Sequence, residues 1–325
     1  MPSTSDRRAN NRVVVAIDVG GTKVAGALVT SRGEILERVR RPTALKSAEA
    51  AVRQMVGVAS ELAARSTRPV VATGVSIAAV VDPRSGDVLW APNLAAWNNI
   101  RLGSMLSASL AVPAIVLYDG HAGVAGEHWR GAGRGARNVV SLTIGTGIGG
   151  GLVLDGRLYH GAANVAGAAG WMILGEDQSV AASRERIGGL ESVAAGPGLV
   201  VSARQAIADG ARTSIPTPVT THGILAAAGR GDALAHSLMD AAGKAMGRAM
   251  ADIVSLLSPD VIVIGGGLGS AVDTYVEAGR RAVAQFAQPI SARAVRIVRS
   301  ELGDDAPLLG AARLALRQAM RKAGT

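Results

Sequence analysis

The chain has 325 residues, 42 of them glycine, and carries a formal charge of +9 from 30 arginines and four lysines against 25 acids. That length allows two ordinary domains with cores of their own. Cysteine is absent, which excludes disulfides, thiolate zinc sites and cysteine nucleophiles and leaves any metal to oxygen or histidine.

The positive balance favours an anionic partner such as a nucleotide or polyphosphate. Basic residues are spread along the chain, however, and only Arg7, Arg8 and Arg12 resemble an arm, so no nucleic-acid partner is expected. Their Ser/Asn-rich setting makes residues 1–12 a disordered leader. The leader carries charge but no apolar signal-peptide core before Asp18, and no uncharged stretch reaches the roughly 18 to 20 residues of a spanning helix. A cytoplasmic protein without a membrane partner is the expectation.

Residues 13–19 form an apolar, β-branched run ending at Gly20 and Gly21, read as a buried strand entering a tight turn. Residues 24–30 return, and 34–39 follow after the turn 31–33, so the chain opens as an antiparallel meander rather than a Rossmann unit. A helix is expected over 47–65 and a strand over 70–77. Pro113 precedes a strand at 114–118, after which Asp119 stands where an N-cap would, ahead of a helix at 121–130. A strand at 139–144 enters a glycine hairpin, 145–151, and returns at 152–154. Beyond residue 190, Ala-rich helices at 191–209 and 231–257 flank a polar loop at 213–221. A buried strand at 260–264 ends in Gly265–Gly267, and a helix at 270–288, a strand at 294–299 and a helix at 307–320 follow. Both halves begin with a glycine-rich strand turn, a faint repeat that suggests a duplicated core with a cleft between lobes.

Three glycine turns and one aspartate carry chemistry. In Asp18-Val19-Gly20-Gly21-Thr22-Lys23 the missing Cβ atoms let backbone N–H groups approach a phosphate; Asp18 could hold magnesium through water, and Thr22 or Lys23 could touch terminal phosphate oxygens. A plain hairpin explains this motif equally well. The run from Thr143 to Gly151, with Gly145, Thr146 and Gly147 at its centre, has more glycines than a two-residue hairpin needs and fits a loop closing over phosphates. Gly265, Gly266 and Gly267 end a buried strand and open a helix, where a nucleotide could rest on bare backbone.

In order and spacing these segments resemble the ROK family, which includes bacterial glucokinases. The likeness covers about residues 13–317 and includes Asp18 to Lys23, Ala91-Pro92-Asn93-Leu94 with Trp97, Asp119, the loop 143–151, Gly156 to Gly161, Leu190-Glu191-Ser192 and Gly310-Ala311-Ala312. It implies an α/β, actin-like ATPase (ribonuclease H-like) fold of two lobes with a central cleft. The smaller lobe would span 13–118, with helix 307–320 returning to it, and the larger 119–325. ATP and Mg2+ are the implied cofactors, and the implied reaction moves the γ-phosphoryl group to a sugar hydroxyl with Asp119 as general base. Local sequence alone would let Asp119 be only a helix N-cap. A homo-oligomer, dimer or tetramer, is implied as well.

Departures from the family pattern fall in the acceptor site. Tyr118 and His121 replace two asparagines, Ala168 stands for a sugar-contacting glutamate and Trp171 for a histidine, while Ala78-Ala79 replaces Pro-Gly. That histidine normally joins three cysteines on a structural zinc; with Gly189 where one cysteine would be, no zinc site is expected. Asn93, Tyr118, Asp119, Ala168, Trp171 and Glu191 are the acceptor-site residues. Losing an Asn, a Glu and a His removes hydrogen bonds worth about 0.5 to 1.5 kcal/mol each, so glucose itself is a doubtful substrate. Tyr118 and Trp171 could offer a platform to a pyranose face or simply fill space; His121 reads as a helix cap.

The expected function is therefore an ATP-dependent kinase for a hexose, amino sugar or related acceptor. The alternative is a catalytically weakened, sugar- or nucleotide-sensing relative. A repressor would need a DNA-binding helix-turn-helix, for which 12 residues before the first strand leave no room.

Overall fold

The computed structural model describes residues 12–44, 47–91, 97–175, 187–271 and 273–323; Asn93 and most of the leader lie outside them. β1 (Val13–Val19) is buried along its length except at Asp18, as a strand covered on both faces must be. β2 (Lys23–Thr30) pairs with it antiparallel, and β3 (Ile35–Pro42) completes the meander. β3 is the sheet edge, and its exposed Glu37, Arg38, Arg40 and Arg41 discourage further pairing. α1 (Ala48–Ala64) leads to β4 (Val70–Ile77). A small ribbon of β5 (Val80–Val81) and β6 (Val88–Trp90), absent from the sequence reading, precedes α2 (Leu102–Leu110) and β7 (Ala114–Tyr118). β4 and β7 lie parallel to β1, giving the order β3-β2-β1-β4-β7.

α3 (Asp119–Arg130) crosses to a second sheet made of β8 (Val139–Ile144), β9 (Ile148–Leu154) and β10 (Arg157–Tyr159), and later β11 (Val261–Gly265) and β12 (Arg296–Arg299). Its order, β10-β9-β8-β11-β12, is again three antiparallel strands followed by two parallel ones. The repeat that was faint in sequence is explicit in topology. Between β10 and β11 stand α4 (Gly189–Ala194), α5 (Gly196–Ala208), α6 (Thr221–Gly229) and α7 (Ala233–Leu257); α8 (Gly267–Ala271), α9 (Thr274–Phe286) and α10 (Pro289–Ala294) precede β12, and α11 (Ala306–Ala323) closes the order.

Several expected boundaries are corrected. The helix expected over 191–209 is two, because the Gly196 N–H bonds the Gly145 carbonyl at 2.9 Å and Pro197 occupies the new first turn. The helix expected over 270–288 divides into α8 and α9. The second glycine turn ends at Gly147, and Gly149 to Gly151 belong to β9. Glycine is needed there for packing: a Cβ on Gly151 would overlap the Gly120 carbonyl, and one on Gly150 would meet the Gly167 oxygen at 2.7 Å. β9 thus lies backbone to backbone against the start of α3.

Each sheet is packed on both faces. Val13, Val15, Ile17 and Val19 face α1 and α2, while Val14 and Ala16, pointing the other way, meet Leu308, Leu309, Ala312 and Leu316 of α11. α11 also crosses α3 closely enough that a Cβ on Gly310 would overlap the Ala122 carbonyl and one on Gly126 the Ala306 carbonyl.

Candidate active site

The chemistry-bearing residues gather at the carboxyl ends of parallel strands, where open α/β sheets place ligands. Asp18 is the penultimate residue of β1, Ser76 lies opposite it on β4, and Asp119 follows the last residue of β7. The two aspartates are two strand spacings apart, about 10 Å along the sheet. Across the cleft, Thr143 of β8 is paired with Gly265 of β11.

Asp119 is the first residue of α3, and its Oδ1 accepts the Gly120 N–H at 2.8 Å; Tyr118 occupies the N-cap position, with no side-chain capping bond. The N-cap reading of Asp119 is thereby corrected, since its carboxylate does not satisfy the free amides further into the first turn. Burial first, and then the charge of Asp18, push the Asp119 carboxyl up to about 7. Burial also raises Asp18, with Ser76 and Lys23 opposing. The Ser76 hydroxyl beside it is buried.

The β1–β2 turn closes with Gly20 N–H on the Lys23 carbonyl at 2.9 Å, leaving Gly21 and Thr22 exposed. The Lys23 ammonium is paired with Asp304 just ahead of α11, so it ties the turn to that helix. In the β8–β9 turn, Gly145 N–H bonds the Gly147 carbonyl at 2.9 Å. Glu191 lies under this turn and accepts the Ile148 N–H at 2.8 Å, close enough that a Cβ on Gly147 would meet its Oε2 at 2.6 Å. Gly266 has φ +84° and presses against the Ile144 backbone, which brings the third glycine turn alongside the second.

Beside these turns opens a cavity of about 640 Å³, walled by Gly145, Thr146, Gly267 and the first turns of α5 and α6, with Val200, Val201, Val219 and Leu225 as an apolar flank and Arg204 at its rim. Sequence reasoning missed this wall; the signal was Gly196-Pro197 and the Thr220 cap of α6, two helix starts that present amide groups to one space.

On the acceptor side, Tyr118 has its hydroxyl at the Gly150 N–H, and burial and the Asp119 charge raise its phenol above the ordinary value. His121 is buried and does not cap a helix: its Nε2 donates to the Ala166 carbonyl at 3.1 Å. Burial lowers it to about 4, so it is neutral and its Nδ1 must accept. The His160 Nδ1, 3.3 Å away, is then the donor. Trp171 is 53% exposed, not filling a vacated interior, and its ring lies 6.5 Å from that of Trp90, itself 45% exposed. Trp90 comes from the β5–β6 ribbon and escaped the sequence reading, because nothing local marks a contact 81 positions away. Ala168 immediately precedes the turn that carries Trp171.

The ROK family model matches residues 14–318. A glucokinase of Halalkalibacterium halodurans is 29% identical over 319 residues, 95% of this chain and 96% of that protein. The bifunctional enzyme NanE/NanK of Brucella melitensis is 34% identical over 303 residues, 93% of this chain but 54% of that protein. The crystal structure of a ROK family glucokinase from Streptomyces griseus in complex with glucose and AMPPNP superposes with a TM-score of 0.78 at 28% identity, covering 94% of this chain and 99% of that one. The duplicated sheets are those of the actin-like ATPase fold.

Proposed function

The chain belongs to the ROK family, and from that premise we propose that it is a sugar kinase that transfers the γ-phosphoryl group of ATP to a hydroxyl of a hexose, amino sugar or related acceptor. The observation that carries the reading is the pair of carboxylates at the ends of β1 and β7, one strand apart in the same sheet, Asp18 and Asp119, together with the two glycine turns and the apolar-flanked cavity. In the proposed step the acceptor oxygen forms a bond to Pγ, the Pγ–O bond to ADP breaks, and the hydroxyl proton passes to the Asp119 carboxylate. A base whose carboxyl titrates near 7 suits that transfer at neutral pH. The β8–β9 turn, held from beneath by Glu191, and the amides opening α5 and α6 would receive the phosphates and ribose, with Val201 and Leu225 against the purine.

A hydrated Mg2+ would be held beside Asp18, whose carboxylate stands opposite the Ser76 hydroxyl on the next strand. The ion's contribution is to neutralise charge on the β- and γ-phosphates.

The acceptor reading rests on the two tryptophans. With Ala168 and Trp171 in place of polar groups, the site offers ring faces and the Asp119 carboxylate, which suits an acceptor with an apolar face better than glucose. Coupled ADP release with Mg-ATP over a panel of hexoses, amino sugars and their glycosides tests the proposal. Turnover with at least one acceptor, and poorer turnover with glucose, is the expected result. Absence of turnover with every acceptor, in protein that still binds Mg-ATP, would replace the kinase by a sensing protein.

A further inference from the structure

A second cavity, about 870 Å³, lies behind the cleft and is bounded by both sheets. Its size is that of a small-molecule site. Arg317, Gln318 and Arg321 project from one face of α11; Arg84 comes from the turn between β5 and β6, and Arg157 and His160 from the β10 side of the second sheet. None of the described residues lining it is acidic. Arg84, Arg157 and Arg317 have no ion pair among the described residues. Arg317 also stands near enough to Arg313 and His128 to disfavour their charged forms, so its positive charge is crowded by cations rather than answered by anions. One lining group has the opposite need. The Gln318 Oε1 is buried without a hydrogen-bond donor, and no arginine of the cavity supplies one.

We propose that this cavity binds a small phosphate monoester that carries free hydroxyls, of the sugar phosphate class. Guanidinium forks from two lobes match the oxygens of a phosphate, and an ester hydroxyl is the donor that Gln318 lacks. A neutral sugar would leave Arg84, Arg157 and Arg317 without an anion, and inorganic phosphate, though it carries a P–O–H, offers no hydroxyl beyond the group that the guanidiniums hold. The outer edge of β7, the last strand of its sheet, lines the same cavity and offers further backbone groups to hydroxyls. Such a ligand would touch elements of both sheets. Through His160 and the hydrogen bond to His121 it also reaches the ring that meets Tyr118 edge-on, 5.1 Å between centroids. The site therefore lies behind the proposed acceptor site and is separate from the phosphate turns.

Calorimetric titration of the full chain with glucose 6-phosphate, in the presence of saturating AMPPNP and magnesium, tests the assignment. Binding is expected in the parent and in Asp119→Asn, and Arg157→Ala and Arg317→Ala are each expected to weaken it roughly tenfold or more. Arg84→Ala, on an exposed turn, serves in place of either variant that does not fold. Absence of binding in the parent, binding that survives the arginine substitutions, or loss of binding in Asp119→Asn would each overturn the site. Inorganic phosphate binding as tightly as the ester would overturn the ester class. Because Asp119→Asn disables the proposed base but not this cavity, failure here and failure of the kinase reading are separately visible.

Discussion

Asp119 is where a single side chain decides most. Asp119→Asn keeps its size and the packing of α3 but cannot take a proton, so turnover is expected to fall about 10² to 10⁴-fold with AMPPNP affinity unchanged. Full activity in a folded variant would remove this residue from the mechanism. Since the base must be ionised, kcat/KM is expected to rise with pH through about 7. The same shift acts on stability with a sign that can be worked out. Between about 4, where the unfolded carboxyl titrates, and about 7, the folded chain holds a proton that the unfolded chain has released, so this group lowers stability as pH rises. Asp119→Asn should therefore melt above the parent, with a gain that grows across that window and is flat beyond it; a gain independent of pH would have another origin. Ala168→Glu combined with Trp171→His is expected to improve glucose use, read as the ratio of kcat/KM for glucose to that for the best acceptor. At this scale motif order singled out Asp18 and Asp119, which the fold places near the ends of two strands of one sheet. The sequence was silent where geometry decides, as in Trp90 meeting Trp171 and in the His121–His160 hydrogen bond, both made by residues from distant segments.

Among the elements, glycine content misled and instructed at once. The run 145–151 suggested one long phosphate loop, yet only its first part turns, and Gly150 and Gly151 are strand residues that let β9 lie on α3. Composition cannot separate glycine needed for a ligand from glycine needed for a neighbouring backbone. The break between α4 and α5 was equally hidden, because Gly196-Pro197 can open a helix only once something distant, here the Gly145 carbonyl, takes the Gly196 N–H. The α3–α11 crossing gives a quantitative test. Gly310→Ala would force a Cβ into the Ala122 carbonyl, and urea denaturation is expected to show a loss of at least about 2 kcal/mol. Gly123→Ala, on the same α3 but with open space at its Cβ position, is the control and should be neutral or stabilising by up to about 1 kcal/mol. Equal losses at both positions would mean that helix contact is not what matters.

Across the whole molecule, the meander at the start of the first half and the hairpin at the start of the second were readable from short turns and β-branched runs, whereas β10, the third strand of the second meander, and the matching strand orders were not, since parallel partners such as β8 and β11 are more than 100 residues apart. The cavity proposed for the nucleotide belongs to this scale, assembled from the turns of the second sheet and two helices. At a concentration of 100 times its Kd, AMPPNP with magnesium should stabilise the fold by about 2.7 kcal/mol, visible as a higher melting temperature. Val201→Glu should abolish that shift without altering the unliganded melt, because Val201 is 59% exposed and lines the cavity proposed for the nucleotide. A shift that persists would move the purine elsewhere. The seam between the sheets has one more consequence. Asp119 extends a strand of the first sheet, while the next residue, Gly120, is pinned to β9 of the second, and the helix they begin crosses α11 with backbones touching. A residue placed on an axle turns without travelling. Should the two sheets swing toward each other around substrate, the phosphate turns would sweep through an arc to reach a nearly stationary carboxylate, so that the proton acceptor sets the fixed point to which the donor nucleotide is carried.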